Sequence, residues 1–434
     1  MKPSILLRTK FLVPHPNEGH FPRPHLSDWM EAQQDKRLVL ISAPPGYGKT
    51  TLLADYLAVT SQAFAWYQLD ANDSDPTVFL TYLIEALRRM TRAPKSVTQA
   101  TGQTAQSLLE TTEAAISHRR VLTVLINELA EELDETWLVV LEDYHYVTNP
   151  IVHQLVDFLL ENAPPGLRLI ISTRADPPLE LARLRAHGQL AELRASDLRF
   201  RADEISHWMS DHVPGISNES LTLLSEKTEG WAAALQIVRS SLSGQDAASA
   251  DRVIAGLSGS NRYVFEYLAD EVFRRQPDQH QQFLLRTSVL EQMDAEVCNA
   301  IASFENSQAI LEALERQNLF LTSLDTQRRW YRYHHLFRDF LLSKLRRERP
   351  DQVHQLQQTA GQYYERQGEL EIAYRHYLEA REYAPAAAVI SVFAADYVER
   401  GRVEVMHRYL SALPEEIKRE HPELLLQHGN VHRR

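Results

Sequence analysis

The hydrophobic pattern changes character near the middle of the chain. In the first part, short apolar runs alternate with stretches of helical periodicity. Residues 37–43 form an apolar run closed by Pro44-Pro45-Gly46, the pattern of a buried strand. Residues 51–59 then place Leu52, Leu53, Tyr56 and Leu57 at helical spacing. Residues 63–69 predict a second strand, and residues 76–90 an amphipathic helix with Phe79, Leu80, Leu83 and Leu87 on one side. Residues 137–141 and 167–172 predict two more buried strands. Such alternation specifies a parallel sheet covered by helices on both faces. The polar, Thr- and Gln-rich stretch 92–113 reads as a surface loop or a frayed insertion.

Past about residue 200 the strand signals largely stop. Residues 202–210, 220–241, 261–275 and 278–290 read as helices, and 309–347 as a helix, a short β-like stretch around Trp330, Tyr331 and Tyr333, and another helix. In the tail, Gly361, Tyr364, Gly368, Ala373, Tyr377, Ala380 and Pro385 sit at the spacings of the tetratricopeptide pattern. A shift of 33 residues finds a weaker echo in Tyr397, Gly401, Met406, Leu410 and Leu413. Units of this kind stack in arrays of about three or more. One good unit and part of another are present, so the chain reads as a piece of a longer design.

The 434 residues suggest two to four domains. With 46 basic and 58 acidic residues the net charge is −12, which argues against an overall basic nucleic-acid binder and a polybasic membrane-surface protein. Residues 328–349 carry eight basic residues against Asp339 and Glu348, a local +6, read as a solvated helical face. Nucleic-acid contact through that segment ranks low without a recognition helix. Cys298 is the single cysteine, which rules out an intrachain disulfide and a cysteine-based zinc site. A cytoplasmic location fits. No apolar run reaches the ~18–20 residues of a membrane helix, and the N-terminal apolar stretch is too short and interrupted for a signal peptide.

The sharpest chemical signal is Ala43-Pro44-Pro45-Gly46-Tyr47-Gly48-Lys49-Thr50, a phosphate-loop pattern with Ala43 at the usual first glycine. Gly46 and Gly48 allow backbone N–H groups to turn inward, Lys49 reaches the β- and γ-phosphates, and Thr50 offers its hydroxyl to Mg²⁺. The pattern follows a strand and opens a helix, as it must. The run Leu138-Val139-Val140-Leu141-Glu142-Asp143 supplies an apolar strand ending in acids, with Glu142 where an aspartate is usual. Two readings follow. Either Glu142 binds the metal through water while Asp143 assists, or the site binds nucleotide well and hydrolyses it slowly. Arg174 follows the strand 167–172 and is placed to sense the γ-phosphate, or is a surface arginine. No Asn-Lys-x-Asp motif occurs, which leaves adenine as the base by elimination.

The motifs APPGYGKTTLLADYL, VVLEDYHYV, ISTRADPPLELARLRAHGQLAELRASDLRF, EGWAAALQ and WYRYHHLFRDFLLSKL, in this order, resemble the large ATP-binding regulators of the LuxR class. These are maltose-activator-like signal-transduction ATPases with numerous domains. The resemblance implies an α/β P-loop NTPase domain (1–200), then all-α helical (201–275), winged-helix (276–350) and tetratricopeptide-like repeat (351–434) domains. It implies phosphate and magnesium contacts from Pro45, Gly46, Tyr47, Gly48, Lys49, Thr50 and Thr51, with Thr50 and Glu142 at the metal. It puts Arg23 near the base or ribose, makes Arg174 a sensor arginine, and brings the winged-helix His334 to the nucleotide phosphates. A histidine among aromatics is also an ordinary core group, and Trp231 reads as core. Family members usually end in a DNA-binding helix-turn-helix, and none is visible here. The implied activity is a slow, regulatory ATPase. ADP holds a closed form, and ATP with an unknown inducer favours a self-associating one. The competing readings are a P-loop enzyme such as a small-molecule kinase and a non-enzymatic helical scaffold.

Overall fold

The computed structural model describes residues 6–15, 19–94, 101–110, 118–132, 136–258, 261–399 and 403–421. They form two compact units, Met1–Ala255 with Arg316–Leu319, and Gly256–Glu315 with Phe320–Arg434.

The first unit is built on five parallel strands, β1 (Leu38–Ser42), β2 (Ala63–Gln68), β3 (Trp137–Glu142), β4 (Leu167–Thr173) and β5 (Leu190–Arg194), in the order β2-β3-β4-β1-β5. Every residue of β1, β3 and β4 is buried, as an apolar run between two helical layers requires. The four strands expected from the sequence are all present, shifted by a residue at most at either end. β5 was not expected. It is an edge strand in which only Ala191 and Leu193 are buried, so its apolar signal is two residues long. The helix Pro76–Arg88 packs Phe79, Leu80, Leu83, Ile84 and Leu87 into the same core as the helices His118–Glu132 and Pro150–Asn162. Two of these helices start alike. Asp75 and Asn149 accept from the first-turn N–H groups, and a proline follows each. The stretch expected as a loop, 92–113, contains the helix Gln103–Glu110; residues 95–100 and 111–113 lie outside the described ones.

The same unit continues into the helices Ala202–His212, Asn218–Thr228, Ala232–Ser241 and Ala247–Ala255. The single helix expected over 220–241 is therefore two. Glu229 (φ 47°) and Gly230 (φ 71°) take left-handed conformations, and Gly230 O accepts from Phe200 N at 2.9 Å. A Cβ at Gly230 would lie 2.4 Å from Phe200 O, so no side chain fits there.

In the second unit, Arg262–Leu268 runs on into a π-turn at Ala269–Phe273. The helices Asp278–Thr287, Ala295–Ala302 and Ser307–Arg316 precede a two-stranded antiparallel ribbon, β6 (Leu321–Ser323) and β7 (Tyr331–Tyr333). The helix His335–Glu348 follows, and the helices Pro350–Arg366, Leu370–Glu379, Tyr383–Glu399, Val403–Ala412 and Glu415–Glu420 complete the unit. Gly361 lets the first two of these five approach closely, because a Cβ there would sit 2.7 Å from the Tyr377 ring. Tyr364, Ala373, Tyr377, Ala380, Met406, Leu410 and Leu413 are buried. Gly401 and the side chain of Tyr397 fall outside the described residues. Among the described residues, no helix is long and apolar enough to cross a membrane.

Candidate nucleotide site

β1 lies between β4 and β5, while the chain leaving it returns to the far side of the sheet. The loop after β1 thus opens at a crevice beyond the carboxyl ends of the strands, the place where open α/β sheets bind ligands. Gly46 (φ 77°) and Gly48 (φ 78°) are left-handed, and Gly48 caps the helix Lys49–Val59. These conformations turn the loop back on itself ahead of a helix N-terminus, with Pro45 and Tyr47 buried on either side of Gly46 and Thr50 and Thr51 half-buried in the first turn. Lys49 is buried. Its Nζ donates to Ala43 O (2.8 Å) and Pro44 O (3.0 Å).

The acids arrive from β3. Glu142 is completely buried and accepts a short hydrogen bond from Thr50 Oγ1 on Oε1. Its Oε2 is sealed from solvent and has no hydrogen-bond partner; the Ser172 hydroxyl lies near enough to favour the charged form without reaching bonding geometry. Burial raises the Glu142 carboxyl well above the usual range, reinforced by Asp143, against the pull of Thr50, Ser172 and Lys49. Burial also lowers the Lys49 ammonium; Glu142 and Asp143 oppose that shift, and the Arg174 charge adds to it. Lys49, Glu142, Asp143 and Arg174 therefore act on one another electrostatically, and the structure brings them together from β1, β3 and β4. Asp143 itself is left-handed (φ 60°), at the sharp exit from β3.

Two predicted residues have other described contacts. Arg23 donates from Nε to Glu204, from Nη1 to Leu198 O (2.7 Å) and from Nη2 to Arg199 O (2.8 Å), and stacks on Phe200. All three of its nitrogens are thus engaged with the segment leading into the helix Ala202–His212. His334 belongs to the second unit. It is buried, and its ring meets Phe320 edge-on at 5.7 Å.

Other loop partners were not foreseen. Trp231 is fully buried, as its core reading requires, but its indole N–H also donates to Pro45 O at 3.2 Å. Ala233 N donates to Gly46 O at 2.9 Å. The helix break at Gly230 is what delivers both donors. Ser42 Oγ donates to Asp176 (2.8 Å), and Asn318 Nδ2 donates to Ser42 Oγ (3.0 Å) and Arg174 O (3.2 Å). The polar Ser42 after an apolar run was the one available hint.

Whether the residues fit a magnesium nucleotide is tested by what they leave open. A buried ammonium on loop carbonyls, a hydroxyl at the helix start and an orphaned carboxylate oxygen form the donor set that a phosphate chain and its cation require. These features define a P-loop nucleotide-binding module. The family described as the MalT winged helix domain matches residues 269–353. The HTH-type transcriptional regulator MalT of Yersinia enterocolitica is 34% identical over 393 residues, covering 90% of this chain and 42% of that protein. The serine/threonine-protein kinase PknK of Mycobacterium tuberculosis is 30% identical over 413 residues, covering 94% of this chain and 36% of that protein. The chain spans less than half the length of these relatives. The Walker-type ATPase of Pyrococcus abyssi superposes with a TM-score of 0.52 at 14% identity, over 75% of this chain and 96% of that one, a likeness of fold alone. The chain is MalT-like: it matches the MalT winged helix domain and is similar to MalT over most of its own length.

Proposed function

We propose that the chain is the nucleotide-responsive switch of a transcription regulator, in which ADP or ATP with Mg²⁺ sets the balance between a closed and a self-associating form. One observation carries this reading: Lys49, Thr50, Glu142, Asp143 and Arg174 converge at the phosphate loop with a buried lysine and an unpartnered carboxylate oxygen. A regulator and a kinase share this same stretch. That supports a switch module common to both over either output, and over the small-molecule kinase and scaffold readings.

In this reading Gly46 and Gly48 present backbone donors to the phosphates, Lys49 exchanges loop carbonyls for phosphate oxygens, and Thr50 and Glu142 hold the cation or its waters. The cation supplies charge neutralisation at the phosphates. A cation beside Glu142 would favour its carboxylate form, and Arg174 would respond to the γ-phosphate. A nucleotide can shift the balance only through contacts that differ between states, and Arg174 and His334 are the residues we assign to that difference. The domain order is P-loop (1–200), helical (201–275), winged-helix (276–350) and repeat (351–434). The inducer is a small molecule or protein acting on the repeats, DNA contact belongs to a further C-terminal domain, and the location is cytoplasmic.

The test is to purify the chain without added nucleotide, denature it and identify what is released. Stoichiometric ADP supports a resting switch. An empty site that turns over ATP rapidly supports an ordinary enzyme, and no binding at all removes the reading.

A further inference from the structure

The second unit carries a cavity of about 550 Å³ walled by the helices His335–Glu348, Pro350–Arg366 and Leu370–Glu379 and by the loop after Asp278–Thr287. That volume lies within the range of small-molecule sites. Leu342 and Ile372 give it an apolar strip. Three polar residues of the wall are more than nine-tenths buried: Gln357 at 3% exposure, and Tyr364 and His376 at 8% each. His376 Nδ1 lies 2.6 Å from Gln357 Oε1. A carboxamide oxygen only accepts, so Nδ1 carries the proton and Nε2 presents a lone pair. Burial, with the nearby Arg375 and Arg338 charges, holds this imidazole down to about 4, so it stays neutral. Tyr364 stacks on it at 5.4 Å and 5°, fixing both rings. His376 Nε2, Gln357 Nε2 and the Tyr364 hydroxyl have no hydrogen-bond partner among the described residues. None of these three atoms is sealed from solvent, so each is open to a molecule that enters the cavity.

The charges are asymmetric. Arg346 pairs with Glu379 and Arg375 with Glu291, each at 3.1 Å. Among the described residues, Arg338 makes no ion pair within bonding distance of a carboxylate. Backbone carbonyls hold it instead, Leu290 O on Nε at 2.8 Å and Val289 O on Nη2 at 3.3 Å, leaving Nη1 open. The wall thus offers one guanidinium pre-positioned by backbone carbonyls, with Glu291 and Glu379 acting on it through space, beside one lone-pair acceptor and an apolar strip.

We propose that this cavity binds a small amphipathic carboxylate that carries a hydroxyl or N–H group. The carboxylate meets Arg338, the donor meets His376 Nε2, and the apolar body lies along Leu342 and Ile372. A dianionic phosphate fits worse, because Glu291, Glu369 and Glu379 share the same wall. This site is separate from the phosphate loop and does not depend on the function assigned to it.

The test uses the full chain and four probes: 3-phenyllactate and indole-3-acetate, which have every required group, the neutral amide of phenyllactate, and phenyl phosphate. Binding is followed by saturation-transfer NMR and calorimetry. Both carboxylates should bind saturably, with the amide and the phosphate at least about tenfold weaker. Arg338→Gln should weaken the carboxylates by about ten- to a hundredfold. Ile372→Trp, which fills the cavity without touching a charge, should abolish binding while thermal unfolding and nucleotide content stay unchanged. If Arg338→Gln does not fold, Ile372→Trp decides. The proposal is overturned if neither carboxylate saturates in the millimolar range, if the amide binds as well as the acid, or if Ile372→Trp leaves binding intact.

Discussion

The phosphate loop of the first unit stands beside a carboxylate oxygen sealed from solvent, the cavity of the second leaves its polar atoms open, and the two are built in opposite ways. The loop is a run of eight consecutive residues, Ala43–Thr50, whose conformation follows from two left-handed glycines between a strand and a helix. The cavity draws Arg338, Gln357, Tyr364 and His376 from three helices, and no spacing in the sequence links them. Local backbone geometry leaves a written pattern. Convergence of side chains from separate helices does not.

The largest expected effect tests the loop. Lys49→Ala should weaken magnesium-nucleotide binding by at least about a hundredfold, the scale of a lost charge-assisted contact in a buried site, with secondary structure unchanged by circular dichroism. Affinity within tenfold of the parent would remove Lys49 from the site.

Next is the support behind the loop. Gly230→Ala forces a Cβ into Phe200 O and should cost about 2–4 kcal/mol in urea unfolding. A loss below about 0.5 kcal/mol would mean that the turn relaxes freely.

The cavity should declare itself through pH. The folded-state pKa of His376 is depressed, so the unfolded chain takes up its proton first as pH falls. The stability this contributes is complete above about 6.5 and is lost as pH falls through about 4. It amounts to something on the order of 3 kcal/mol. His376→Gln should flatten the stability profile in that window, and an unchanged slope would break the assignment.

Glu142 has the opposite sign. Its folded-state pKa is raised, so its ionisation destabilises the nucleotide-free protein as pH climbs above the ordinary glutamate range. At pH 8, Glu142→Gln should raise the unfolding free energy of the nucleotide-free chain by about 1 kcal/mol while weakening the magnesium-dependent part of ATP binding. A lower unfolding free energy for the variant would contradict a costly buried carboxylate. The smallest effect is that of Trp231→Phe, which removes the donor to Pro45 O and should cost about 1 kcal/mol, with a measurable loss of nucleotide affinity.

The same contrast explains what could be read from the sequence. β1 to β4 were legible because burial on both faces leaves uninterrupted apolar runs, and the acids of Glu142-Asp143 stand at the end of one of them. β5 was not, because an edge strand needs only Ala191 and Leu193 inside. Gly230 sits in a stretch with helical periodicity on both sides, and only the close passage of Phe200 shows why the helix stops there. Trp231 was rightly read as core, but its donor role depends on Pro45, 186 positions away. Arg23 was carried in by resemblance, and nothing in its neighbours announced the carbonyls of Leu198 and Arg199 that it serves.

The ammonium of Lys49 resting on Ala43 O and Pro44 O has a kinetic meaning. Through these contacts the loop is bonded to itself. An arriving phosphate competes with two internal acceptors rather than filling a bare charge, so part of the new attraction replaces bonds already present. A departing one is succeeded by those same acceptors, so release strands no isolated cation in a buried place. Such a placeholder trades ultimate affinity for reversibility, which suits a site whose contents must be renewed more than one that must hold its ligand for good.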